Sequence, residues 1–435
     1  MTSFLLSLRH KIICTMDRRE FLKESLIAMG GLAVASSGLL SACVGKNNKA
    51  LETLLEEQPL WFDDLPPIGK LGFGLMRLPR FEDKSADIEQ VKAMVDLFMN
   101  AGFNYFDTAW AYGDSEDVTR QALVERYPRE KFILATKLAA WVRCENREQA
   151  IQQFETSLQR TGAGYFDLYL LHNLGGKRTQ VFEDFDLWNW AFEQKAAGKI
   201  KHVGFSFHGG PEELEQIFIQ HPEAEFVQLQ VNYADWEDPT VKARECCELA
   251  RKYNKPIIVM EPIKGGMLAN PPKPVKEVFD TLGTGDSYAA WALRFAASQE
   301  GVMTVLSGMS NTEQMEDNIH TLKDFKALTD EQKNVIEEAQ KALAAIPTIP
   351  CTNCNYCTKV CPVHVGIPGS FNALNFYNLY GDMTEALDQE DFYVKGKGFQ
   401  FASACIKCGA CEEVCPQHIN IREQLENVVA TLGKK

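Results

Sequence analysis

Eight of the chain's thirteen cysteines fall within residues 351–415, at regular spacing. Cys351-x2-Cys354-x2-Cys357-x3-Cys361-Pro362 is followed, after 42 residues, by Cys405-x2-Cys408-x2-Cys411-x3-Cys415-Pro416. The repeat continues as C-P-V-H-V-G-I and C-P-Q-H-I-N-I. Soft thiolates at this spacing hold [4Fe–4S] clusters, three from one run joined by the last cysteine of the other. The expected sets are Cys351, Cys354, Cys357 and Cys415 for one cluster, and Cys405, Cys408, Cys411 and Cys361 for the second. Zinc favours two cysteine pairs and leaves a doubled four-cysteine run ending in proline unexplained. Disulfides are the other alternative. His364 and His418 are expected to orient or solvate rather than ligate. Cys14, Cys144, Cys246 and Cys247 show no ligand spacing.

A second group of reactive residues lies earlier in the chain. Asp107 ends F-N-Y-F-D, Tyr112 follows it, Lys137 ends F-I-L-A-T-K, and His172 ends F-D-L-Y-L-L-H. Apolar strands that finish on ionisable residues suit an active site at the mouth of a parallel barrel. Ion pairs at strand ends are the plainer alternative. Eight strand candidates carry the pattern: 71–75, 103–107, 132–137, 166–172, 202–207, 226–232, 256–260 and 302–307. Helical patterns lie between them, at 88–100, 147–160, 211–220, 240–253 and 287–297. This alternation predicts a (β/α)8 TIM barrel over residues 65–345. An open doubly wound sheet is weakened because no Gly-x-Gly-x-x-Gly follows the first strand.

D-T-A-W-A-Y-G-D-S-E at 107–116, A-T-K at 135–137 and L-L-H-N at 170–173 resemble the aldo-keto reductase family over about residues 68–325. The resemblance makes Tyr112 the general acid, since a free phenol is too weak an acid for the task near neutral pH. Lys137 would lower the phenol's pKa, Asp107 would hold Lys137, and His172 would steer a small carbonyl or alcohol substrate. It also implies NAD(P) across the barrel mouth. Ser206 and Gln230 match the carboxamide-binding residues, with Phe207 where an asparagine is expected. Gly265 and Gly266 would let backbone approach a pyrophosphate. In S-G-M-S-N-T-E-Q-M-E-D-N, residues 307–318, Gly308 and Gln314 stand where NADP-selecting relatives place Lys and Arg. Asn318 closes that cofactor-binding stretch. The cysteine region, 346–435, resembles an α-helical two-cluster ferredoxin, with a helix expected in F-N-A-L-N-F-Y-N-L-Y.

The chain has 435 residues, 45% hydrophobic and 24% charged, with net charge −14. The composition is globular, and the acidic balance argues against nucleic acid as a partner. At the N-terminus, Arg18-Arg19 precedes Phe21-Leu22-Lys23 and an uncharged stretch ending at Leu40-Ser41-Ala42-Cys43. Residues 1–43 resemble a twin-arginine export signal with a bacterial lipobox, Cys43 becoming the lipidated first residue, and Met16 is an alternative start. A buried N-terminal helix is the competing interpretation. Residues 44–64 would be a tether. The expected location is the bacterial cell envelope, membrane-attached only through Cys43, or the cytoplasm if the leader is unused. Together these readings predict an exported oxidoreductase coupled to two [4Fe–4S] clusters and to a redox partner protein. A flavin in the barrel mouth is a candidate converter between hydride and single-electron chemistry. The alternative is a non-catalytic electron-relay or nucleotide-sensing subunit.

Overall fold

The computed structural model describes residues 61–433 except 143, 240, 352–354, 414 and 416–418. The leader, Cys43, Cys354 and His418 lie outside the described residues. Eight parallel strands close a barrel in chain order. They are β1 Leu71–Gly74, β2 Tyr105–Asp107, β3 Ile133–Leu138, β4 Phe166–Leu174, β5 Ile200–Phe207, β6 Val227–Gln230, β7 Ile257–Met260 and β8 Val302–Ser307. Leu71 of β1 pairs opposite Val305 of β8, so the sheet has no free edge and the doubly wound alternative falls away.

Alternation along each strand decides which side chains can do chemistry. Phe73, Phe106, Leu134, Tyr169, Phe205 and Val259 belong to the core under the surrounding helices. Tyr105, Ala135, Leu168, Leu170 and Ile258 are equally buried but sit outside that cluster, in the lumen. Asp107, Lys137, His172, Ser206 and Gln230 share the lumen parity and stand at its C-terminal end.

The barrel helices include α1 Ile88–Asn100, α2 Arg147–Thr161, α3 Leu187–Ala196, α4 Pro211–Gln220, α5 Ala243–Lys252, α6 Tyr288–Ala297 and α7 Thr312–Leu322. Each forms because an apolar stripe recurs at helical spacing. In α1, Val91, Met94, Val95 and Phe98 are buried. Phe98 lies 5.8 Å from Phe73 and 5.1 Å from Phe106, ring centre to ring centre. Side-chain caps start α1, α2, α6 and α7: Asp87 accepts from Gln90 N at 3.0 Å, and Asn146 from Gln149 N at 3.0 Å. Each cap contributes about 1 kcal/mol. Gly162, at φ 64°, ends α2 in a left-handed turn that a Cβ would strain. At the opposite end of the barrel, Asp64 hydrogen-bonds His202 at 2.8 Å. The folded body therefore takes in Asp64, which the sequence assigns to the tether.

α8, Asp330–Ala344, leads out of the barrel, and its Gln340 donates to the Tyr233 carbonyl at 2.8 Å. The cysteine region is helical: α9 Ile367–Tyr380, α10 Met383–Tyr393 and α11 Ile421–Leu432. Each cysteine repeat feeds a long helix at its matching isoleucine, Ile367 or Ile421, so the duplication extends to the fold. Phe371 and Leu374 share a small core with Leu425 and Val428. Among the described residues, no helix is long and apolar enough to cross a membrane.

Candidate active site

The sequence 107–116 builds its own scaffold. The Ser115 hydroxyl lies 2.8 Å from Thr108 Oγ1 and donates to the Leu75 carbonyl at 2.8 Å. Buried Glu116 accepts from Thr136 Oγ1 at 2.7 Å, tying the loop to β3 beside Lys137. Arg160 on α2 approaches the other Glu116 oxygen at 3.5 Å. Tyr112, between these anchors, is carried over the end of the lumen.

There the four expected residues come together. Lys137 is fully buried; its ammonium donates to Asp107 Oδ1 and, at 2.7 Å, to the Thr108 carbonyl. Lys137 Nζ lies 4.9 Å from the Tyr112 ring centre. The Tyr112 and His172 rings meet edge to face at 5.7 Å. His172 Nδ1 is buried and has no hydrogen-bond partner. Tyr105 Oη and Thr304 Oγ1 are also unpartnered in the barrel, but His172 stands at its C-terminal end beside Tyr112.

Burial dominates the electrostatics. It pushes the Asp107 carboxyl up, while Lys137 and then Gln228 draw it down. Asp107 and Tyr112 together outweigh burial at Lys137, whose pKa rises, so the lysine stays charged. Burial pushes the Tyr112 phenol up, against the pull of Lys137. The sequence expectation of a lowered phenol pKa is thus corrected: the lysine acts, but removal from water outweighs it. Burial, with the Lys137 charge second, holds His172 well below its ordinary value and therefore neutral.

Two contributors escape sequence reasoning. Gln228 on β6 donates to Asp107 Oδ2 at 3.2 Å, completing the carboxylate's coordination. Its signal is the Q-x-Q of V-Q-L-Q, two glutamines on one face of a strand. Trp141 packs on His172 at 6.1 Å, and its indole N–H donates to the His172 carbonyl at 2.8 Å. No motif marks it.

The residues matched to a cofactor divide. Ser206 is buried and accepts from Asn173 N at 2.7 Å, leaving its hydroxyl proton to donate. Phe207 points the other way, into the helix-facing core against Phe205, so nothing at that position serves the mouth. Gln230 Nε2 donates to Asp235 Oδ2 at 2.8 Å, and Asn232 and Lys264 converge on the same carboxylate. Gly265 and Gly266 both take positive φ, 68° and 105°. Gln314 and Asn318 build the corner after β8: Gln314 Oε1 accepts from Ser310 N at 2.7 Å, and Asn318 donates to Ser307 Oγ at 2.8 Å. Gly308 packs under Arg77. The orphaned His172 nitrogen, the lumen-facing Ser206 and the positive-φ glycines fit a nicotinamide dinucleotide at this mouth.

In the cysteine region, Cys361, Cys405, Cys408 and Cys411 line one small cavity. This is the crossed set expected from spacing. Backbone N–H groups of Val365 and Lys407 donate to Cys361 Sγ and Cys405 Sγ at 3.3 and 3.4 Å, as cluster-bound sulfurs require. Cys351, Cys357 and Cys415 belong to the same small core. Cys246 and Cys247 are buried in α5, where burial pushes both thiols up to about 12. A further cavity, about 900 Å³, lies between the 233–239 loop, Lys264, α8 and the end of α9, and takes in Asp235, the partner of Gln230.

Residues 70–341 match the aldo/keto reductase family, and residues 350–419 match a 4Fe-4S dicluster domain. The first match covers well over half of the chain. The protein belongs to the aldo/keto reductase family, a family of oxidoreductases, and carries an iron–sulfur domain at its C-terminal end. A 9,11-endoperoxide prostaglandin H2 reductase of Trypanosoma cruzi is 25% identical over 271 residues, 62% of this chain and 87% of the relative. An aldo-keto reductase of Mycolicibacterium smegmatis is 32% identical over 128 residues, 29% of this chain. The chain spans only 43% of that relative's length. An aldo-keto reductase from Bacillus halodurans, solved in its holo form, shares the fold at 24% identity and TM-score 0.51, covering 63% of this chain and 93% of its own.

Proposed function

We propose that this protein interconverts a small carbonyl compound and its alcohol by hydride transfer at the barrel mouth, in concert with two [4Fe–4S] clusters. The observation that carries this reading is the convergence of Asp107, Tyr112, Lys137 and His172 at the lumen end. A bound nicotinamide dinucleotide supplies the hydride, and Ser206, Gln230 and the Gly265–Gly266 backbone are the residues to hold it. Tyr112 donates its hydroxyl proton to the carbonyl oxygen. The Lys137 charge stabilises the phenolate left behind, so its attraction grows as the proton leaves. Asp107 fixes Lys137 in place. Neutral His172 offers a ring N–H to the substrate oxygen. The clusters, held by the two cysteine sets, supply one-electron transfer to a redox partner. A flavin at the mouth in place of the nicotinamide would join the two kinds of chemistry directly. Residues 18–43 support export and lipid attachment at Cys43.

Tyr112→Phe tests the assignment. It removes only the transferable proton, so kcat should fall about 10²- to 10⁴-fold with the dinucleotide dissociation constant unchanged. A variant that keeps most of its turnover would overturn the mechanism.

A further inference from the structure

We propose that Arg77 is the cationic contact for the diphosphate of the bound dinucleotide, supplied from the β1 loop. The proposal rests on the nicotinamide reading of the barrel mouth and adds a residue to it. Arg77 ends the short turn Leu75–Arg77 that follows β1, at the same end of the barrel as Asp107 and Lys137. Ser310 Oγ donates to the Arg77 carbonyl at 2.8 Å, which pins this turn to the corner between β8 and α7.

The side chain then runs across the gap between the β7 and β8 loops. A Cβ built at Gly308 would lie 3.5 Å from Arg77 Cδ, so the glycine is a floor for the aliphatic stem. A Cβ at Gly265 would lie 3.5 Å from Arg77 Nη2, so the guanidinium arrives at the positive-φ turn of the β7 loop. Beyond it, a Cβ at Gly266 would meet nothing within 4 Å, which leaves the turn open. The head is thus held where backbone can approach a diphosphate, with only its stem over the β8 corner.

Arg77 is also uncommitted. Every other described arginine makes a hydrogen bond or ion pair through its guanidinium, as Arg80 does with Asp114, Arg129 with Asp167 and Arg178 with the Asn173 carbonyl. Arg77 alone, among the described arginines, makes none. Five N–H donors in a planar fork match two phosphate oxygens, and leaving them unpaired at a cofactor site is consistent with a ligand that completes them. The neighbouring corner supplies no substitute, since Gln314 is spent on Ser310 and Lys264 on Asp235.

The test compares Arg77→Met, which keeps the stem over Gly308, with Arg77→Lys, which keeps charge but loses the fork. Binding of NADH, NADPH, ADP and adenosine is measured by calorimetry on anaerobically purified protein. R77M should weaken NADH, NADPH and ADP alike, roughly 10- to 100-fold, the loss of a charge-assisted contact. Adenosine should be unaffected, R77K should recover part of the loss, and the salt dependence of ADP binding should flatten in R77M. Weakening confined to NADPH would move Arg77 to the 2′-phosphate and overturn the proposal. Unchanged binding of all three phosphorylated ligands would overturn it while leaving the nicotinamide reading intact. Wild-type protein that binds ADP but neither dinucleotide would overturn the nicotinamide reading instead, and with it the assignment to a dinucleotide.

Discussion

Replacing Gln228 with leucine tests whether the Asp107–Lys137 pair must be charged for turnover. Gln228 Nε2 is the donor to Asp107 Oδ2, at 3.2 Å inside a sealed lumen. Leucine has nearly the same volume, so the barrel should still close, but the carboxylate oxygen loses its partner. A hydrogen bond to a charged group contributes about 1.5–3 kcal/mol, and one pKa unit corresponds to about 1.4 kcal/mol. The bond favours the carboxylate over the neutral acid. Its loss should therefore raise the Asp107 pKa further, by about one to two units, on top of the upward push from burial. As pH falls, Asp107 in Gln228→Leu takes up its proton earlier, and Lys137 loses its counter-charge. The acid limb of kcat/KM, read from cofactor oxidation with an aldehyde panel, should move up by about one to two pH units. Gln228→Asn, with a shorter reach to the same oxygen, should fall between. A Gln228→Leu enzyme whose acid limb stays in place, whatever its plateau rate, would show that Gln228 merely fills space.

His172 is held neutral by burial, so wild-type kcat/KM should show no limb near pH 6.5; a limb there that vanishes in His172→Gln would contradict the neutral-donor role. Cys361→Ala should lower iron from about eight to about four per chain and leave one cluster visible by electron spin resonance after reduction, because Cys361 lines the cavity of Cys405, Cys408 and Cys411. Loss confined to the cluster of its own run would refute the crossing. Arg18→Lys with Arg19→Lys should retain the protein in the cytoplasm, and Cys43→Ser should abolish lipidation. Unchanged fractionation of both variants would rule out the leader.

How much of the protein is legible in its sequence follows from the range over which each feature is set. Cluster ligands sit three or four residues apart, so local chain geometry alone brings three thiolates to one site, and the repeat betrays the fourth. Helices 88–100 and 211–220 are readable for the same reason: periodicity, the Asp87 cap and the Pro211 start act within a few residues. The proposed catalytic quartet is legible because Asp107, Lys137 and His172 stand at the ends of apolar strands and Tyr112 follows the first of them in its loop. Tertiary structure decides what separate strands share. Gln228 meets Asp107 across 121 residues, and nothing in V-Q-L-Q states which glutamine reaches the carboxylate until register and closure are set. Phe207 turns from the mouth because strand parity puts Ser206 in the lumen and Phe207 under the helices. Gln230 is engaged by Asp235, a partner five residues away brought back only by the turn after β6. The direction of the Tyr112 shift depends on how completely water is excluded, and Arg77 gains its meaning from Gly265 and Gly308 on two distant loops. Composition and spacing identify the chemical groups, while barrel closure determines their distances and their dielectric, on which reactivity depends.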